Sequence, residues 1–66
     1  MDGVEYVYEL RRGDDIVVTG RLLLEDPLEV GARVEIAHRE GIVRSIDPLF
    51  GERALRLVVQ LVRDSD

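Results

Sequence analysis

The feature that most constrains this chain is a metre set by glycine. Five of its six glycines, Gly3, Gly13, Gly31, Gly41 and Gly51, fall at intervals close to ten residues or a multiple of ten, and the segments between them are rich in Val and Ile. β-Branched residues suit a pleated surface and glycine suits the turns between short strands, so the spacing predicts an all-β meander. No segment repeats another at this period, which sets it apart from a repeat array. Parity agrees. Val4, Tyr6, Tyr8 and Leu10 alternate with Glu5, Glu9 and Arg11, the period of a strand with one buried face. Arg12-Gly13-Asp14 reads as a hairpin turn. Ile16, Val18, Gly20, Leu22 and Leu24 continue the alternation until Asp26-Pro27 breaks it, and Gly20 in mid-strand predicts a bulge or bend where the sheet curls. Val34 and Ile36 form a third strand, His38 to Glu40 with Gly41 a second turn, and Ile42 to Ile46 a fourth strand.

The last segment supports two readings. Leu55, Leu57, Val59 and Leu61 alternate as a strand does, whereas Arg53, Arg56, Gln60 and Arg63 stand three, four and three apart, as on a helix that Asp47-Pro48 could start. Gly51 near its start and the valines at 58, 59 and 62 are costly in a helix and natural in a strand, so strand is the expectation. Five strands joined by short turns in 66 residues most simply close into a small five-stranded antiparallel barrel. The expected domain is single, residues 1–63, with Asp64-Ser65-Asp66 as a frayed tail.

Two stretches carry a resemblance. Val17-Val18-Thr19-Gly20-Arg21, then Leu28-Glu29-Val30-Gly31 and Val34-Glu35-Ile36, resemble the β-barrel second domain of elongation-factor-type translational GTPases. Gly31 to Ile36 followed by Gly41-Ile42-Val43-Arg44-Ser45-Ile46 resemble the KOW motif of SH3-like barrels in ribosomal proteins and transcription elongation factors. Both resemblances imply a small barrel, SH3-like or translation-factor-like, and the second implies contact with RNA. They cover residues 17–46. Ala32 stands where the translation-factor pattern has an acidic residue, and Glu35, Glu40 and Asp47 offset the basic residues of the KOW-like stretch.

Composition removes several functions. Without cysteine the chain can form neither a disulfide framework nor a thiolate metal site, and His38 is its single histidine. Asp14-Asp15, Glu25-Asp26 and Glu29 read as solvated turn carboxylates, and Ser45 and Thr19 lack a base at fixed spacing. A barrel interior filled by its own side chains leaves no cleft of ordinary ligand size. We therefore expect no enzyme, no cofactor and no metal site. Met1 to Glu5 lack the features of a secretory signal and the longest apolar runs are three residues, so the expected location is cytoplasmic and no membrane partner is expected.

Charge and apolar pattern then point to partners. The formal charge is −5, yet residues 1–33 hold eight acids against four arginines while residues 37–63 hold three acids against five arginines. Every basic residue is arginine, which favours bidentate pairing between these regions. If the alternating aliphatics named above point inward, Val7, Val17, Leu23, Val58 and Val62 point outward, an unusual number for a surface that needs no cover. A core this small supplies few kcal/mol, so self-association or a larger protein partner through that face is the leading expectation. The alternative is a module that binds RNA or the ribosome through Arg39, Arg44, Arg53, Arg56 and Arg63.

Overall fold

A computed structural model describes residues 3–49 and 51–62. The tail at 64–66 lies outside the described residues. Five strands, β1 (Val4–Arg12), β2 (Asp15–Leu24), β3 (Arg33–Ile36), β4 (Arg39–Pro48) and β5 (Leu55–Leu61), form one curled sheet in the order β2-β1-β5-β4-β3. The sheet is a half-barrel: β2 and β3 are its two edges and do not pair with each other. The expected all-antiparallel pairing needs correction, because β1 and β5 run parallel, Tyr6 opposite Leu55 through Arg11 opposite Gln60. Alternation of side chains looks the same in either sense, so parity could not have revealed it.

The segment at 55–61 is a strand, and it is the central one. That position explains its composition. Leu57, Val58 and Val59 are all buried, at 0%, 7% and 1% exposure, as a strand covered on both faces requires. The inner face carries the core of Tyr6, Leu10, Val43, Leu57 and Val59, with Tyr8, Val18, Leu22, Ile46 and others packed around it. Tyr6 also holds the loop between β2 and β3: its hydroxyl accepts a hydrogen bond of 2.8 Å from the Leu28 N–H. The loop then enters β3 through a Glu29–Ala32 turn with Gly31 at φ 94°, and Gly31 and Ala32 exchange backbone hydrogen bonds with Val43 at 2.8 and 2.9 Å.

Two expectations about turns are revised. The β3–β4 hairpin turns at Ala37-His38, both at positive φ (55° and 65°), so Gly41 lies within β4 opposite Val34 and Leu61. Glycine is needed there for closeness, since a Cβ would sit 2.5 Å from Val59 Cγ1 and 2.8 Å from the Gln60 carbonyl oxygen. Gly20 is likewise regular strand, paired with Tyr8, whose ring lies where a Cβ would be. The bulge in β2 falls nearby instead. Leu10 pairs with Val18 but Arg11 with Ile16, which makes Val17 the extra residue and turns Ile16 to the outer face. A second bulge makes Arg44 the extra residue of β4, between the pairs Val43–Val59 and Ser45–Val58.

Candidate functional site

The outer face is ordered in rows across the strands. Thr19, Glu9, Val58 and Ser45 form the middle row; Arg21, Val7, Arg56 and Asp47 lie on one side of it, and Ile16, Arg11, Gln60, Ile42 and Arg33 on the other. Glu9 is its electrostatic centre. Arg56 donates to it twice, Nε to Oε2 and Nη2 to Oε1, each at 3.2 Å, and Arg11 Nη2 donates to Oε1 at 2.8 Å. These hydrogen bonds, Arg56 first and Arg11 second, hold the Glu9 carboxyl below its ordinary value, while Glu9 raises Arg56. Arg21 bridges Glu5 at 3.0 Å and Glu52 at 3.5 Å. The Arg56–Glu9 pair joins the acidic first half to the basic later segment, as the arginine-only composition suggested, and Arg21–Glu52 links the same two regions with the charges reversed.

The five aliphatics expected at an interface do not form one patch. Val58 is covered by its own chain, with Arg11, Arg44 and Arg56 around it, so it is removed from the free surface. The reason is its place on the central strand, which parity alone cannot assign. Val7 and Val62 are half-buried. Val17 and Leu23 remain, at 38% and 69% exposure, and both lie on edge strand β2. Ile16, 51% exposed on the same strand, joins them because the bulge reverses its side.

β2 is ten residues long and pairs only with β1, so the N–H and C=O groups of its other edge are not engaged in the sheet. Edge strands are usually blunted by shortness, lysine or proline. β3, at four residues, is short, whereas β2 has neither lysine nor proline and is interrupted only by the bulge at Val17 and by two charges, Asp15 and Arg21, so that residues 18–24 form a regular open edge.

The arginines of the alternative reading are also dispersed. Arg44 and Arg56 meet, together with Arg11, around a depression of about 360 Å³ that Gly13, Asp14, Ser45, Val58 and Gln60 complete. Arg39 lies at the start of β4 beside the hairpin turn, in a separate depression of about 540 Å³ with Arg33, His38 and Glu40. Arg53 is exposed in the turn that follows the far end of β4. Arg63 lies outside the described residues. Arg11 was missed at the sequence level although parity put it outward; its neighbours were not legible without the β1–β5 register. These surface depressions, of about 360 and 540 Å³, revise the expectation of no cleft of ordinary ligand size.

No group of three or more His, Asp or Glu among the described residues is placed to hold a metal ion. No helix among them is long and apolar enough to cross a membrane. Fold and surface together define a small, mixed-sheet, curled half-barrel. No protein family matches the chain, and neither curated proteins nor solved structures contain a significant match to it.

Proposed function

We propose that this chain is a non-enzymatic protein-interaction module of the cytoplasm, a half-barrel of the SH3-like or translation-factor-like kind, whose partner is a second copy of itself added at β2. The observation that carries this reading is the edge of β2: ten residues with one side unengaged in the sheet and three of the large exposed aliphatics, Ile16, Val17 and Leu23. Strand addition satisfies the open backbone groups and covers those side chains in one step. A chain of 66 residues gains most from such a partner, because its own core is small. The resemblance over residues 17–46 covers β2, β3 and most of β4, which supports kinship of architecture with those barrels. Binding of RNA through Arg39, Arg44, Arg53, Arg56 and Arg63 is the weaker reading. Arg39 and Arg53 stand at opposite ends of β4 and do not converge with Arg44 and Arg56.

Sedimentation velocity across a concentration series tests the proposal. The wild-type chain is expected to move from 7.5 kDa monomer to dimer as concentration rises, and Val17→Lys with Leu23→Lys to remain monomeric with its fold intact. A wild-type monomer at every concentration would overturn it.

A further inference from the structure

The depression over Val58 has the chemistry of an anion site, and we propose that it binds the phosphate group of a small ligand. Three guanidinium groups reach it from three strands: Arg11 from β1, Arg56 from β5 and Arg44 from β4. Against these three positive charges stand Glu9, which pairs Arg11 and Arg56, and Asp14 at the rim, leaving a net positive hollow on a chain of net charge −5. Arg44 is the least engaged of the three, with a single hydrogen bond of 3.4 Å to Gln60 Oε1. Ser45 and Gln60 add a hydroxyl and an amide to the lining.

A second observation is independent of charge. Arg11 Nε is shielded from solvent and has no hydrogen-bond partner among the described residues. A buried donor left unpaired carries its full desolvation penalty, and a rotation of the Arg11 side chain toward an anion in the hollow would give that donor an acceptor. The backbone is arranged around the same place. Both bulges flank it, one opposite Leu10 and Arg11 and the other at Arg44 itself, and bulges re-aim the side chains they carry.

A tetrahedral oxyanion presents acceptors in several directions, which suits guanidinium groups converging from three strands. A planar carboxylate meets a guanidinium fork in one plane and would leave donors unused. The volume, about 360 Å³, lies near the lower end of small-ligand sites, roughly 300 Å³, and admits a phosphate with a small organic group. A polynucleotide is a poorer occupant. Tyr6 and Tyr8 belong to the inner face and offer no stacking platform here. The site adjoins the β2 edge through the Arg11–Ile16 pair, but none of its lining residues belongs to β2 itself.

The test is a ¹H–¹⁵N titration reading the arginine Nε–Hε resonances at constant ionic strength, with inorganic phosphate, acetate and a single-stranded RNA oligomer as three arms and chloride as the balancing salt. Phosphate is expected to produce saturable shifts centred on Arg11, Arg44 and Arg56. Arg44→Gln should weaken binding about tenfold, the loss of one charge-assisted hydrogen bond, with core resonances unchanged. Asp14→Asn should tighten it roughly twofold by removing a rim charge. Absence of saturable shifts, acetate binding as tightly as phosphate, or binding of the RNA alone would each overturn the proposal.

Discussion

Glu9 shows how one residue ties distant parts of this chain together. It lies on β1, accepts from Arg56 on β5 and Arg11 on its own strand, and so fastens the outer face of the parallel pair. Its folded carboxyl titrates below the ordinary 4.5 because Arg56, then Arg11, stabilise the charged form. A depressed folded value contributes stability above the unfolded pKa and loses it as pH falls through the folded one. Glu9→Gln is therefore expected to cost about 1 kcal/mol at neutral pH and to lose that deficit in acid, below the folded value. Urea unfolding of both chains at pH 7 and through a series of falling pH checks this, and a deficit that never narrows in acid would exclude the mechanism. The glycines carry a second lesson at this scale. Gly13, Gly31 and Gly51 are turn residues with φ of 63°, 94° and 79°, but Gly41 and Gly20 are kept small by a neighbouring backbone or ring. The ten-residue metre combined two different physical demands.

Among the elements, the β3–β4 hairpin is the one whose local chemistry opposes its shape. A two-residue loop with both φ values positive is the type I′ turn, which favours Asn-Gly, yet Ala37 and His38 occupy it. Left-handed backbone costs a residue with a Cβ about 1 kcal/mol. Ala37→Asn combined with His38→Gly should stabilise the protein by about 1 kcal/mol, raising its melting temperature by roughly 4–8 °C for a domain of this size. A thermal melt that does not rise would show that the native hairpin is unstrained. Glycine therefore does not mark this turn: Ala37 and His38 form it, and Gly41 lies within β4. By contrast, the valines of β5, costly in a helix, outweighed the helical spacing of its charges, and its central place covers Val58 and Val59 on both faces.

At the scale of the whole molecule, the parallel β1–β5 pair joins two hairpins, β1–β2 and β3–β4, into one sheet with one core. Everything therefore depends on few side chains. Leu57 is fully buried on the central strand, within the core of Tyr6, Leu10, Val43 and Val59. Leu57→Ala should cost about 2–5 kcal/mol, comparable to the entire stability of a domain this small, and leave the chain largely unfolded at 25 °C. Far-ultraviolet circular dichroism and a dispersed proton spectrum read the outcome. A fold retained at full stability would mean that the core is not cooperative.

By itself the sequence determined the class of fold, the number of strands and the side of most residues on β1, β4 and β5, because these follow from hydrophobic alternation and turn chemistry that act within about ten residues. Its arginine-only composition pointed to pairing between the two regions, and Arg56 with Glu9 is such a pair. Only the tertiary structure decided that β5 lies in the middle and parallel to β1, that Val58 is covered while Ile16 is exposed, and that Arg11, Arg44 and Arg56 surround one hollow. Each of these depends on strand order, register and two single-residue bulges. They are relations between segments up to fifty residues apart, set by how the hairpins close on each other, and local pattern carries no trace of them.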